Sequence, residues 1–539
     1  MSKKVSRRDF TRTSIVASAA AVALPTSVIA GAAAPPSRAA VEGARLARRR
    51  ISMPPEVSYG GLSFDGRDVL LQDTLTPAGQ TPPSYPDGWK EGTTNPAAYY
   101  VEEEHYRNDE TFLKEHFWFM VDHEHRIPKP GDYFVFEFGR GDSVIIARDQ
   151  AGAVRAFHNV CRHRGSRLCM HGPEFDNVRP TEARPDAKMP DARFSVAQLA
   201  SSGNTPVFRC PYHAWTYDLT GKLISVPSGM PRGFNTADHG LHPCHVRTAE
   251  GFIWVSLARQ EPPDFDAFVS NWKTVCADYG TAKLKVAARK QYPTKANWKL
   301  ALENFRECYH CQHAHTRSFT ATHALFLPTT TPDRRARIER ELAGHGHPVE
   351  PRDDYFNVFY QPAQPQGAYR STLIPPAQAA GGMAAGARGT HLNVGYVTAS
   401  LDGKPVAPLL PSRKEWTHRR RSATTGFSTS FISFYDDHVA VARFTPRGVM
   451  STDVEIFWMV NPDAKDKDVD VPRMMAVWDV TYREDRWIVE NNHHGILNSR
   501  YNFLGGQPYA ESEGGPSGLA KWYMTEVVPN VPRRQTSAG

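Results

Sequence analysis

Two stretches decide the fold: Asn159-Val160-Cys161-Arg162-His163-Arg164-Gly165 and Cys210-Pro211-Tyr212-His213-Ala214-Trp215, with 46 residues between His163 and Cys210. Each supplies one thiolate and one imidazole in a tight turn. Two thiolates can hold one iron of a [2Fe–2S] pair and two imidazoles the other, and exchanging thiolates for neutral imidazoles raises the reduction potential. The same four donors could also hold a structural zinc ion, and residue types alone leave both readings open.

The surroundings of these turns are rich in β signals. Tyr133–Phe138, Ser143–Arg148, Val154–Phe157, Val207–Arg209, Leu223–Ser225 and Gly251–Val255 are short β-branched or aromatic runs. Turn residues such as Gly139 to Asp142 and Asp149 to Gly152 separate them, and that spacing implies a small all-β domain. Beyond Glu261-Pro262-Pro263 the pattern changes. Asn297–His315 reads as helix, strands return between Phe427 and Met459, and a last helical stretch covers about Arg473–Asn498. The expectation is α+β, with helices packed on an antiparallel sheet. Gln361–Lys414 reads as long loop, and Arg419-Arg420-Arg421 as a solvated loop.

With Pro128-Lys129-Pro130-Gly131-Asp132-Tyr133 before them, the two Cys/His turns resemble the cluster loops of the Rieske non-haem iron oxygenases, oxygenase (α) subunit. That superfamily includes aromatic ring-hydroxylating dioxygenases and choline- or carnitine-type monooxygenases. The resemblance spans about Phe117 to Glu526. It implies an all-β Rieske domain over 116–262, holding the cluster through Cys161, His163, Cys210 and His213. An α+β helix-grip catalytic domain follows over 285–539. The stretch from about Gly172 to Asn204 is longer than this family carries and reads as an inserted surface loop.

Glu303-Asn304-Phe305-Arg306-Glu307-Cys308-Tyr309-His310-Cys311-Gln312-His313-Ala314-His315 is dense in donors, and on bare chemistry several subsets could bind metal, Cys308 with Cys311 included. The resemblance selects His310 and His315 as ligands of a mononuclear Fe(II), with Glu307 upstream as the carboxylate that relays electrons. Cys308, Cys311 and His313 are then packing residues or neighbours of the ligands. The third ligand is expected from Glu484-Asp485. Asp485 is the choice and Glu484 the fallback, against the plain alternative of an acidic pair on a solvated helix face. Two histidines and a carboxylate form a facial triad with positions left open.

The family's chemistry implies O2 and an organic substrate, electrons from a reductase or a reductase plus ferredoxin, and a head-to-tail homotrimer. Glu at position 307, inside Glu-Cys-Tyr-His-Cys, resembles the branch acting on quaternary ammonium compounds by monooxygenation and N-demethylation. Aromatic ring dioxygenation is the alternative, and a non-catalytic Rieske electron carrier a remote one. A cationic substrate calls for aromatic faces. Tyr355, Phe356, Phe359, Tyr360, Phe431, Phe434 and Tyr435 are candidates, although core packing explains such residues equally well.

Charge and address complete the picture. The chain carries 64 Lys or Arg against 57 Asp or Glu, but ten of the basic and two of the acidic residues fall within 1–50. The remainder holds 54 against 55 and is neutral, so nucleic acid is set aside as a partner. Ser6-Arg7-Arg8-Asp9-Phe10-Thr11, followed by the uncharged Ser14–Ala34, resembles a Tat signal over 1–34 and implies periplasmic export, or a cytoplasmic location if the signal does not function. Residues 35–115 read as an N-terminal arm with little structure of its own. Seven cysteines are too few for a disulfide scaffold.

Overall fold

The computed structural model describes residues 88–169, 201–227, 229–324, 332–344, 386–424, 429–498, 500–501, 506–510 and 513–530, together with the backbone of 57–59 and 62–64. The last two are an antiparallel strand pair within a small first unit, Met1–Asp65. Everything else belongs to one compact second unit. Among the described residues no helix is long and apolar enough to cross a membrane. The twin-arginine segment, most of the inserted stretch and Tyr355–Tyr360 lie outside the described residues.

From Phe119 to Ser256 the described residues are mainly β. A four-stranded antiparallel sheet runs Val154–His158, Asp142–Arg148, Asp132–Phe138, Ser202–Asn204, so the end of the inserted stretch pairs as an edge strand. A three-stranded sheet, His245–Ala249, Phe252–Ser256, Phe119–His123, packs beside it. A third, smaller sheet of Leu223–Ser225, Thr216–Tyr217 and Phe208–Arg209 supports the two Cys/His turns. Its core has Leu168, Phe208, Trp215, Tyr217 and Leu223 around the buried Cys161 and Cys210.

The second half is a six-stranded antiparallel sheet, Lys285–Thr294, Ser451–Val460, His438–Gly448, Ser430–Phe434, Arg419–Thr424, Gly386–His391. Alternation along Ser430–Phe434 sends Phe434 to one face, where it meets Tyr279 of the helix Phe265–Tyr279 at 4.5 Å. Phe431 points to the other face, toward Phe305 and Trp478. The long helix Val471–Ile496 lies on that second face, started by Asp470, whose carboxylate accepts from Arg473 N–H, and by Pro472 in its first turn. Trp478, Thr481, Tyr482, Asp485, Val489 and His493 form its buried stripe at helical spacing.

Four expectations are corrected. The arm is not unstructured at its end, because Glu103–His116 is a helix with Tyr106, Phe112 and Leu113 buried. Its Asp109 accepts hydrogen bonds from Trp298 Nε1 (2.9 Å), Tyr523 Oη (2.5 Å) and Lys299 Nζ, all of them fully inside the protein. The run 297–315 is two helices, Trp298–Phe305 and Cys311–Ala314, with a break between them. Arg419–Arg421 is not a solvated loop either. It sits in the sheet, and Arg420 is 3% exposed. Part of Gln361–Lys414 is likewise strand, Gly386–His391.

Candidate iron centres

The two Cys/His turns are built alike. The N–H four residues beyond each cysteine bonds to that cysteine's carbonyl, Gly165 to Cys161 and Ala214 to Cys210, both at 3.0 Å. Closing so tight a turn needs a left-handed residue, and φ is +75° at Gly165 and +59° at Ala214. The turns bring His163 Nδ1 and His213 Nδ1 to 3.0 Å. Cys161 and Cys210 are neighbours in the interior, where burial pushes the Cys161 thiol up. Same-atom convergence of two imidazoles beside two thiols is the donor set a [2Fe–2S] cluster requires. Tyr217 Oη accepts from the N–H of Arg162 (3.1 Å) and lies 3.3 Å from Cys161 Sγ, so its own proton is directed at the sulfur. His163 is exposed and stacks on the buried Trp215 at 4.8 Å.

The second cluster joins the break after Trp298–Phe305 to the long helix. His310 Nε2 and His315 Nε2 are 3.1 Å apart, and Asp485 Oδ1 is 3.1 Å from the first and 2.9 Å from the second. Metal–donor bonds of about 2.1 Å meeting at right angles put donors roughly 3.0 Å apart, whereas tetrahedral angles would spread them to about 3.4 Å. The observed triangle is of a size that one face of an octahedron accommodates, so these three donors could hold Fe(II) as a facial triad. Burial would pull both imidazole pKa values down, but the bonds to Asp485, Glu307 and Glu484 outweigh it. His310 rises to about 10 and His315 also rises. Burial alone would raise the Asp485 carboxyl, and the two imidazoles hold it low.

Around this face the ligands are oriented from behind. Glu307 Oε1 contacts His310 Nδ1, and its Oε2 takes the N–H of Tyr309 and of His310, the latter at 3.3 Å. Glu484 stands on the other side of His315 from Asp485. Its Oε2 meets His315 Nδ1 at 2.8 Å and accepts from Ser318 Oγ at 2.8 Å. Such partners of a ligand's far nitrogen fix the tautomer and the ring orientation. Cys311 Sγ is within 4.8 Å of the histidine donors, but it is bonded to Cys308 and offers no thiolate. His313 points outward.

One wall was missed by the sequence reading. Phe305 lies 5.0 Å from Phe431 and 6.0 Å from Trp478, and Phe319 lies 5.4 Å from Trp478. Trp478 is seven residues before Asp485 on one helix face, a spacing that could have flagged it. Of the earlier candidates, Phe431 is part of this wall, whereas Phe434 is core. Tyr435 is buried behind the wall, accepting from Trp478 Nε1 at 3.2 Å.

Comparison with known proteins agrees with this arrangement. Residues 117–236 match the Rieske [2Fe-2S] domain family, and 281–527 match the ring hydroxylating alpha subunit catalytic domain. The glycine betaine monooxygenase oxygenase subunit of Chromohalobacter salexigens is 32% identical over 420 residues, covering 77% of this chain and 82% of that protein. Its namesake from Pseudomonas aeruginosa is 29% identical, covering 86% and 96%. The chain belongs to the Rieske non-haem iron oxygenases, as an oxygenase subunit with a [2Fe–2S] centre and a mononuclear iron centre. That membership replaces the zinc and electron-carrier alternatives. In fold it is similar to the quaternary ammonium Rieske monooxygenase CntA (TM-score 0.54, 18% identity, 81% of this chain and 95% of that one). Naphthalene 1,2-dioxygenase from Rhodococcus sp. superposes as well (0.54, 19%, 81% and 95%), so the fold alone does not select a substrate.

Proposed function

We propose that this chain hydroxylates an N-methyl group of a quaternary ammonium compound of the glycine betaine class. The observation that carries this is the aromatic wall of Phe305, Phe319, Phe431 and Trp478, in which Phe319 follows His315 by four residues and Trp478 precedes Asp485 by seven, since ring faces attract a methylated cation. The two glycine betaine relatives support it, as does Glu at position 307. One oxygen atom of O2 enters a methyl C–H bond, and the other leaves as water, consuming two electrons and two protons. The resulting carbinol breaks its C–N bond to give formaldehyde, a tertiary amine and a proton.

In this assignment Cys161, His163, Cys210 and His213 hold the cluster, and His310, His315 and Asp485 hold Fe(II). When bound, the two centres supply single-electron relay and oxygen activation. The protein's own residues do the positioning. Glu307 and Glu484 fix the two imidazoles, and the ring wall holds the methylated head against them while excluding water. A separate reductase, directly or through a ferredoxin, provides electrons. Glu307 is assigned to the path between a neighbouring subunit's cluster and His310, which calls for a head-to-tail ring, as in a trimer.

A screen with a surrogate reductase tests the substrate. Formaldehyde from quaternary amines is expected, and turnover of aromatic acids alone would sink the proposal in favour of ring oxygenation. The twin-arginine segment is read as an export signal, which would place the enzyme in the periplasm and require a donor other than a cytoplasmic nicotinamide reductase. Arg7→Lys/Arg8→Lys should then retain the chain in the cytoplasm on fractionation. An unchanged distribution would mean that the signal does not function.

A further inference from the structure

Cys308 and Cys311 bracket the iron ligand His310 and are joined to each other as a disulfide, with their Cα atoms 4.8 Å apart. Both are 4% exposed, and the half-exposed Tyr309 lies between them in the chain. Cys311 also precedes His315 by four residues, and its carbonyl accepts the His315 N–H at 3.0 Å. Residues four apart share one side of a helix. The Cys311 sulfur accordingly stands within 4.8 Å of a ring nitrogen of His310 and of one of His315. A sulfur so close to the metal face, tied up by its neighbour three residues away, is a donor held in reserve.

Resting on the His310/His315/Asp485 face, we propose that this disulfide selects the metal which the face accepts. Bonded to Cys308, the Cys311 sulfur offers no thiolate, and two imidazoles with one carboxylate leave positions open, as Fe(II) chemistry with O2 requires. With the bond reduced, Cys311 becomes a fourth donor beside the other three, its proton leaving to solvent as the sulfur binds. Two imidazoles, a carboxylate and a thiolate complete a four-coordinate set that suits zinc, which has no redox chemistry. The reduced chain filled with zinc is therefore inactive toward O2. Closing the bond removes two electrons and two protons from the two thiols, and the disulfide of a dithiol oxidoreductase accepts them and becomes a dithiol. Opening the bond is the reverse exchange. Glu307 and Glu484 hold the imidazoles through contacts that involve neither sulfur. Disulfides persist in oxidising compartments, so the face stays open to iron where the export reading places the chain.

Metal binding, not turnover, decides this. The full chain, with its cluster loaded and its mononuclear site cleared by a chelator, is treated with oxidised glutathione or with a phosphine reductant, and zinc is titrated in. Peptide mapping should find Cys308 linked to Cys311 in the first sample and both alkylated in the second. The reduced protein should bind zinc at least about tenfold tighter than the oxidised one. Under the phosphine, C308S, which leaves Cys311 free, should match the reduced wild type, and C311S the oxidised one. A disulfide that only stiffened the turn would make the two variants alike, so zinc affinities of C308S and C311S within about twofold overturn the proposal. Equal zinc affinity of the wild type in its two redox states overturns it too, as does failure of the two cysteines to link under the oxidant. The reduced-cluster EPR signal certifies that each variant is folded. Should a variant not fold, the wild-type comparison decides alone. H310A should lose zinc binding in both states. Wild-type zinc uptake by H310A would refute the metal face itself, whereas loss in H310A with no redox effect in the wild type would refute the disulfide's role alone.

Discussion

Glu484 Oε2 lies 2.8 Å from His315 Nδ1, on the far side of the ring from Asp485, whose Oδ1 is 2.9 Å from Nε2. Two adjacent acidic residues of one helix thus address opposite nitrogens of one imidazole, the first orienting it and the second sharing its metal face.

Removing the orienting partner should weaken iron binding without abolishing it. Glu484→Gln is expected to lower Fe(II) affinity roughly tenfold to a hundredfold, whereas Asp485→Ala should leave only the cluster's two irons of about three per chain. Iron analysis alongside EPR of the reduced cluster separates the two, because the cluster signal should persist in both variants.

At the other centre, the Tyr217 proton aimed at Cys161 Sγ stabilises the more negative, reduced cluster. Tyr217→Phe should lower the reduction potential by roughly 60 mV, equivalent to one charge-assisted hydrogen bond of about 1.4 kcal/mol. Spectroelectrochemical titration measures it, and an unchanged potential would show that the hydroxyl does not bond to the sulfur.

A pH effect follows from His123. Its Nδ1 accepts the N–H of His125 (3.2 Å) and its Nε2 faces the Thr281 carbonyl (3.1 Å), a pattern that the neutral ring satisfies. Burial drives its pKa down to about 4. Between about pH 6.5 and 4 the unfolded chain therefore binds a proton that the folded one refuses. Stability present above pH 6.5 should fall across that window by at most about 3 kcal/mol. Melting curves of the wild-type and His123→Gln proteins should show a shallower acid slope in the variant.

The arm helix should be indispensable. Asp109→Ala leaves the fully buried Lys299 without its carboxylate, a loss of about 3–5 kcal/mol. Chemical denaturation reads this directly. A change below about 1 kcal/mol would mean that the helix is only loosely attached.

Much of this was legible because the chemistry is local. The cluster pairs and His310/His315 each sit within a few residues of one another, and their spacing survives whatever the chain does elsewhere. The helix Glu103–His116 was missed because two of its buried positions, Asp109 and Glu110, are acidic and hide the apolar stripe. The helix break before His310 carries no proline or glycine. The Glu307 carboxylate takes the N–H groups of Tyr309 and His310 and so competes with the helical pattern. The burial of Arg420 was illegible because a run of three arginines gives no sign of which one faces inward until the strand turns its guanidinium onto Ser433 Oγ.

The fully buried Asp122, on the strand Phe119–His123, is paired with Arg126 and with Arg289 of the catalytic sheet. Burial alone would raise its carboxyl, and the guanidiniums hold it well below the usual range. Arg289 also reaches Glu455, which pairs with Arg443, while Arg447 crosses from the same sheet to Glu137. A chimera that grafts only the cluster-bearing half onto a relative would strand these charges at the seam. Transplants intended to change the electron donor must therefore carry Arg289, Arg443, Arg447 and Glu455 with the graft.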